Sequence, residues 1–313
     1  GKMANGIADN LLTAVYLAAK CPVFFAPAMD VDMFNHPSTS ANIAKLQSWG
    51  NLLIEPQEGE LASGLYGAGR MQEPDKIVEA LQKYLQKKKD FNKVKVLITA
   101  GPTHEFIDPV RFISNHSSGL MGFALAEEFA GRGADVELIS GPVNLKPVHA
   151  NIHFTQVTTA DEMHEECFRK FPKSQITIMA AAVADYTVEN RSAQKIKKGS
   201  GELMLKLKKT TDILAGLGKV MKPGQLLVGF ALETDNELEH ARKKLKNKNL
   251  DLIVLNSLRD VGAGFGHTTN KVTLLDKNGN TETYELKLKS LVAVDIAEKI
   301  KKLFSHKKQL KSK

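Results

Sequence analysis

Apolar runs of strand length alternate with amphipathic stretches of helix length along most of this chain. From Val94, VKVLITAG (94–101) reads as a buried strand rich in β-branched residues. A long loop follows, then a helix from about Leu120 to Arg132 that Gly133 ends. DVELISG (135–141), IHFTQV (152–157), a helix over 160–171, QITIMAAAVA (175–184), LLVGFALE (226–233), a charged helix over 236–249 and LDLIVLNSL (250–258) continue the alternation. Strands separated by helices in this way predict a mostly parallel, doubly wound α/β sheet. KVTLLDKNGNTETYELK (271–287) predicts an added β-hairpin turning at Asn278-Gly279, and SLVAVDIAEKIKKLF (290–304) a closing amphipathic helix.

The first 81 residues repeat the pattern on a smaller scale. GKMANGIADNLLTAVYLAA reads as helix without a start methionine or a cap, so the sequence is expected to begin inside a domain. Short strands at 22–29 and 51–56 alternate with helices from Pro37 to Trp49 and from Pro74 to Leu85. Ser38 or Thr39 is the expected cap of the first of these, and Pro74 suits a first helical turn. The polar, lysine-rich stretch at 82–93 places a boundary there. The expected organisation is a partial domain over 1–85, a linker over 86–93 and a complete domain over 94–313.

Composition narrows the function classes. Of 313 residues, 42% are hydrophobic and 25% charged, which are globular proportions. No apolar run reaches the length of a membrane span. Two cysteines, Cys21 and Cys167, rule out a disulfide framework and favour a reducing, cytoplasmic setting. The net charge is +8, and the last thirteen residues (301–313) hold six lysines and no acid. That stretch reads as a solvated tail. No nucleic-acid motif accompanies it, so neither nucleic acid nor membrane is an expected partner.

Two segments carry candidate chemistry. In TAGPTHEFIDPVRFISNHSSGLMG (99–122), a strand ends in a loop that feeds a helix N-terminus. Amide groups and the helix dipole favour an anion there, and Ser117, Ser118 and Gly119 are small enough for a phosphate to approach the backbone. The segment matches neither G-x-G-x-x-G nor a P-loop. Its length argues for a functional loop, and His116 within SNHSSG is the histidine of interest. In MAAAVADYTVENRSAQKIKK (179–198), Ala180 to Ala182 leave room above a strand end. Asp185 could hold a metal or read a base edge, and Lys195, Lys197 and Lys198 could neutralise a polyphosphate. Lys244 and Lys248, four apart, share one helix face.

These motifs, with VGFALET and KLKNKNLDLIVLN in the same order, resemble the bifunctional phosphopantothenoylcysteine decarboxylase/phosphopantothenate–cysteine ligase family of coenzyme A biosynthesis. GIADNLLT, PAMDVDM (27–33) and ASGLYGAGRM (62–71) resemble the back half of its flavin-dependent, flavodoxin-like decarboxylase domain. The resemblance implies a Rossmann-like ligase domain and a CTP-dependent ligase as the function. The carboxylate of 4′-phosphopantothenate would attack the α-phosphate of CTP, and cysteine would then displace CMP. Mg²⁺ is implied, and FMN only for the parent's decarboxylase, whose domain is expected to be incomplete and inactive here. Met179, Ala180, Ala181, Asp185, Lys195, Thr211, Asp212, Ile213, Leu214, Phe230, Lys244 and Lys248 would bind CTP, with Asp185 also at the metal. Lys195 would serve cytidylate formation and Asn115 its consumption. Arg111, Asn115, Ser117, Ser118 and Gly119 would bind substrate, Arg111 across a dimer interface. The family's Asn stands as Asp30, its flap Cys as Ser63, its Asn-Pro as Thr210-Thr211, and its Lys or Arg after SSG as Leu120. A dehydrogenase and a non-catalytic flavoprotein-like subunit are the competing readings.

Overall fold

The computed structural model describes residues 1–61, 63–85, 89–198, 202–233, 236–257 and 267–311. The chain divides into two compact units, residues 1–87 and 88–313.

In the first unit the helix expected from residue 1 starts only at Leu11. Gly6 turns left-handed after a short 3₁₀ turn, and Asn10 caps α1 (Leu11–Ala18) by accepting from the Thr13 amide at 3.0 Å. β1 (Phe24–Phe25) and β2 (Leu52–Leu53) form a two-stranded parallel pair, far shorter than their apolar runs. Between them lie α2 (Val31–Asn35) and α3 (Pro37–Ser48). The cap of α3 is neither Ser38 nor Thr39. His36 accepts from the Ser38 amide through Nδ1, because Pro37 occupies the first helical position. The stretch expected as loop holds a hairpin, β3 (Gln57–Glu60) and β4 (Tyr66–Arg70), before α4 (Pro74–Leu85). Leu11, Leu12 and Val15 of α1 are exposed.

The second unit is built on an eight-stranded sheet. In chain order its elements are β5 (Lys95–Ala100), β6 (His104–Phe106), β7 (Phe112–Ser114), α5 (Leu120–Gly131), β8 (Asp135–Ser140), β9 (Ile152–Gln156), α6 (Ala160–Lys170) and β10 (Ile176–Met179). There follow β11 (Tyr186–Val188), β12 (Leu207–Lys209), α7 (Ile213–Val220), β13 (Leu226–Glu233), α8 (Glu237–Asn247) and β14 (Leu252–Ser257). β15 (Thr269–Asn270), β16 (Val272–Asp276), β17 (Thr281–Thr283), β18 (Lys287–Leu288) and α9 (Lys289–Lys311) complete it.

The sheet order is β17-β16-β14-β13-β10-β5-β8-β9. The six strands from β14 to β9 are mutually parallel, and β16 and β17 add the expected antiparallel hairpin. Order reverses between β5 and β10, the switch point at which ligands bind in doubly wound sheets. Both sheet faces are covered, which is why the strands read as unbroken apolar runs. Val96, Ile98 and Ile178 pack with α5 and α9 on one face. Leu97, Met179 and Ile253 pack with α6, α7 and α8 on the other. Small hairpins β6–β7 and β11–β12 occupy stretches expected as loops. No helix among the described residues is long and apolar enough to cross a membrane.

The basic tail is not loose along its described length. α9 runs to Lys311, and Lys307 donates to the Gln225 carbonyl at 2.6 Å and pairs with Asp251 at 2.7 Å. Lys301 pairs with Asp90 at 2.8 Å. Asp90 also receives the buried Arg132 guanidinium, which lies 2.9 Å from Glu298 and 5.0 Å from the centre of the Phe91 ring. Burial pushes the Asp90 carboxyl up, but Arg132 and Lys301 outweigh it and hold it below its usual 3.8. The contribution is therefore complete above the unfolded value and is lost as pH falls through the folded one. Replacing Arg132 by alanine removes a buried guanidinium and one of the two cations that Asp90 faces, Lys301 being the other, and is expected to cost about 3 kcal/mol. Urea midpoints at pH 7 and pH 3 check this: the variant's deficit should shrink at the acid end.

Candidate functional site

The carboxyl ends of β5 and β10 are stitched together just beyond the sheet. Gly101 is left-handed (φ 73), and its carbonyl accepts from the Ala182 amide at 2.8 Å. Thr99 Oγ1 accepts from the Ala181 amide at 3.2 Å, and Thr103 Oγ1 from that of Ala184 at 3.0 Å. Thr210 Oγ1 donates to the Ala184 carbonyl at 2.6 Å, and Asn115 Nδ2 to that of Val183 at 2.9 Å. The AAAVAD backbone is thus fixed from three directions by short polar side chains, without filling the space above it.

That space is a cleft of about 1220 Å³. Three helices begin on its wall: α5 at Gly119, α7 at Asp212 and α9 at Lys289. First-turn amides have no partner within their helix, and the dipole adds positive potential, so the cleft suits anions. The α5 terminus has no side-chain cap, because Gly119 is the cap residue, at φ 76. A Cβ on Gly119 would approach Val143 Cγ1 to 3.1 Å and the Gly101 amide nitrogen to 3.4 Å, so the turn requires glycine.

Lys209, Lys244, Lys248 and Lys289 line the cleft against Asp185 and Asp212. Lys244 Nζ donates to the Phe230 carbonyl at 3.2 Å. Lys248 pairs with Asp212 at 2.8 Å, while Asp212 caps α7 through the Ala215 amide at 2.9 Å. Burial pushes the Asp212 carboxyl up, but Lys248, the Ala215 amide and Lys244 outweigh it and hold it low. Lys289 is 7% exposed and donates to the His267 carbonyl at 2.7 Å; burial pushes its ammonium pKa down.

Most expected site residues meet here. Asn115, Ser117, Ser118, Gly119, Met179, Ala180, Ala181, Asp185, Thr211, Asp212, Ile213, Leu214, Phe230, Lys244 and Lys248 all line the cleft, as do His116 and Leu120. Arg111 and Lys195 do not. Arg111 is committed to the buried Asp108 carboxylate and to the Ile196 carbonyl at 2.8 Å, and Lys195 is exposed beside that clasp. Asp108 also accepts the amides of Val110, Arg111 and Ile196, and these bonds outweigh burial to hold its carboxyl far below the usual range. Lys209, Asn256, Asn270 and Lys289 line the cleft without having been expected. Lys209 follows Lys206 and Lys208, and Lys289 follows Lys287, so spacing gives neither lysine a signal of its own. Among the described residues no three His, Cys, Asp or Glu side chains gather as metal ligands. Asp185 is an exposed single carboxylate, which fits a Mg²⁺ ion held largely by water and phosphate.

In the first unit, Asp30 caps α2 through the Val31 amide at 2.7 Å, and Ser63 is exposed between β3 and β4. β4 rests on the PAMDVDM segment. The Met29 amide donates to the Gly69 carbonyl at 2.9 Å, and a Cβ on Gly69 would meet the Met29 oxygen at 2.4 Å. The two motifs of this unit are therefore packed together.

Residues 91–304 match the family described as DNA/pantothenate metabolism flavoprotein C-terminal domain, and residues 1–86 match the family described as Flavoprotein. A protein from an unknown prokaryotic organism named cysteine/cysteine sulfinic acid decarboxylase is 57% identical over 96% of this chain and 85% of its own. The coenzyme A biosynthesis bifunctional protein CoaBC of Bacillus subtilis (strain 168) is 46% identical over 96% of this chain and 74% of its own. The crystal structure of the C-terminal domain of a CoaBC protein superposes with a TM-score of 0.60 at 38% identity, covering 70% of this chain and all of that one. These similarities overturn the expectation of a ligase with an inert flavin remnant. The chain carries a flavoprotein segment over residues 1–86 as well as the C-terminal domain over 91–304, and is not of a ligase-only kind.

Proposed function

The chain belongs to the coenzyme A biosynthesis flavoprotein family, and from that premise we propose a two-centre enzyme acting on cysteine-derived and phosphorylated carboxylates. The first unit serves decarboxylation of a cysteine derivative with FMN. Residues present suit such a plate-like ring: Met33 of α2 and Leu65 and Tyr66 beside the β4 hairpin are exposed on elements that pack together. FMN, when bound, supplies the electron sink that lets a carboxylate leave as CO₂. Asp30 holds the α2 turn through its cap, and the exposed Ser63 is too weak an acid to match a thiol as proton donor.

The second unit activates a carboxylate with a nucleotide. A carboxylate does not react with an amine until its oxygen becomes a leaving group. Attack on the nucleotide α-phosphate expels pyrophosphate and gives an acyl-nucleotide. The cysteine amine then displaces nucleoside monophosphate and forms the amide. Three anionic groups must meet, so the residues that matter stabilise charge: the α5, α7 and α9 amides, Lys244 and Lys248. Asn115 holds the loop below the reacting centre through the Val183 carbonyl. The observation that carries this reading is the convergence of three helix N-termini and four lysines on one cleft at the sheet's switch point.

The test has two arms on the same preparation. Pyrophosphate release is measured from CTP, Mg²⁺ and 4′-phosphopantothenate, with and without cysteine and with ATP as the alternative nucleotide. CO₂ release is measured from 4′-phosphopantothenoylcysteine and from free cysteine with added FMN. Both releases are expected. Protein that releases CO₂ but no pyrophosphate would remove the second centre; the reverse would remove the first.

A further inference from the structure

Two hairpins leave the cleft wall side by side and are fastened at their tips. β6 and β7 carry the chain out from Thr103 and back to Asn115, and β11, packed beside β6, carries it out from Asp185. Residues 189–198, which follow β11, form neither strand nor helix, and only Ser192 and Ile196 among them are half-buried. The Ser192 amide donates to the Ile107 carbonyl at 3.0 Å, and the Arg191 guanidinium lies 4.6 Å from the centre of the Phe106 ring. At Ile196 both backbone groups are held. Its amide donates to Asp108 Oδ2 at 3.1 Å, and its carbonyl accepts from Arg111 Nη2 at 2.8 Å. The exposed Lys195 and Lys197 flank this fixed residue.

The two oxygens of Asp108 do different things. Oδ1 accepts the Val110 and Arg111 amides at 2.8 and 2.9 Å and closes the local turn. An asparagine side chain closes such turns as well. Oδ2 meets Arg111 Nε at 3.0 Å, Arg111 Nη2 and the Ile196 amide. Three donors on one oxygen call for a carboxylate, and this one is 0% exposed. A buried charge is costly, and the turn does not need it. What needs it is the lysine-bearing strip, which buries little and loses backbone freedom when it is held. We propose that Asp108 is a positioning residue for nucleotide activation: with Arg111 it pins residues 192–197, and it acts on pyrophosphate expulsion only through the Lys195 and Lys197 cations. As the carboxylate oxygen bonds to the α-phosphorus, the electron pair of the breaking P–O bond passes to pyrophosphate. Lysines fixed in advance meet that charge without reorganising.

The assignment rests on the nucleotide-activating reading of the cleft, and the experiment separates the two. Four variants of the full chain are compared with wild type: Asp108→Asn, Ile196→Pro, Lys195→Gln/Lys197→Gln, and the last combined with Asp108→Asn. Asp108→Asn keeps Oδ1 for the turn but sets an amide NH₂ against the three donors. Ile196→Pro removes only the amide that reaches Asp108 and leaves the ion pair and the turn. Pyrophosphate release from CTP, Mg²⁺ and 4′-phosphopantothenate gives kcat and KM. Trypsin cleavage after Arg191 and Lys197 and melting temperature are read alongside. Asp108→Asn and Ile196→Pro should each speed cleavage of the strip and lower kcat by about 10- to 100-fold, the effect of a misplaced group, with KM for CTP within about threefold. In the Lys195→Gln/Lys197→Gln chain, adding Asp108→Asn should change kcat by less than about twofold, because the cations it positions are already gone. A merely structural clasp would lower melting and lower kcat equally in both backgrounds, and that result overturns the assignment. Wild-type kcat in Ile196→Pro with its strip cleaved faster overturns it too, and this comparison decides alone if the double-glutamine chain is silent. Unchanged cleavage in both Asp108→Asn and Ile196→Pro would show that Asp108 does not hold the strip. Wild type that releases CO₂ but no pyrophosphate overturns the nucleotide reading and this role with it.

Discussion

Valine at position 122 is expected to disable the anion end of the cleft and destabilise the second unit together. Gly122 lies in the first turn of α5, where the helix crosses β5. A Cβ there would stand 2.5 Å from Ala100 Cβ and 2.9 Å from the Thr99 carbonyl oxygen. Carbon atoms settle at about 3.5–4.0 Å, so the helix end must retreat by about 1 Å. Overpacking of this kind costs about 1–3 kcal/mol and sometimes more. The functional loss is the more specific consequence. Retreat carries the Gly119 to Met121 amides away from an anion seated on them, and Gly119 is itself wedged between Gly101 and Val143. Affinity for an anion seated there, read with inorganic phosphate, should fall by about tenfold or more, the scale of one or two lost charge-assisted bonds. Gly122→Ala should show a smaller shift in the same direction. Wild-type melting and wild-type affinity in Gly122→Val would mean that α5 is not held against β5 at this distance.

This dependence explains which parts of the molecule were legible. β5, β10, β13 and β14 are buried on both faces, so each reads as an apolar run, and the helices between them give the sheet its order. The loop SNHSSG was readable because a strand end, small residues and a helix start follow each other in the chain. The hairpins at 104–114 and 186–209 were not, because three-residue ladders of mixed polar residues carry no period. Arg111 and Lys195 look like free cations in the sequence. Asp108, a few residues from one and distant from the other, gathers both segments into its own hydrogen-bond set, and nothing in the spacing reveals that. Lys289 is the reverse case. It stands two residues after half-buried Lys287 in ELKLKS, and only the packing of α9 on α5 sets it into the cleft wall.

Lys248→Gln is expected to weaken nucleotide binding by more than the loss of one cation would suggest. Lys248 lies 2.8 Å from Asp212, whose carboxylate also caps α7. With the ammonium gone, Asp212 loses the largest of the interactions that hold its carboxyl low, but the Ala215 amide and Lys244 still favour its charged form. The cleft then presents a bare negative charge at the terminus that should greet a phosphate. Both the lost attraction and the new repulsion act on the ligand, and about 10- to 100-fold in CTP affinity is the expected scale. Asp212→Asn should behave differently. Asparagine caps a helix as well as aspartate does, so α7 keeps its start while the cleft loses a negative charge. That variant should hold CTP at least as tightly as wild type, and Lys248→Gln/Asp212→Asn should recover most of what Lys248→Gln loses. Titration at two salt concentrations sharpens the comparison, since a charge mechanism weakens as salt rises. If Asp212→Asn is as damaging as Lys248→Gln and the double variant is no better, the carboxylate itself touches the ligand or its metal ion, and Asp212 rather than Asp185 becomes the acid that serves it.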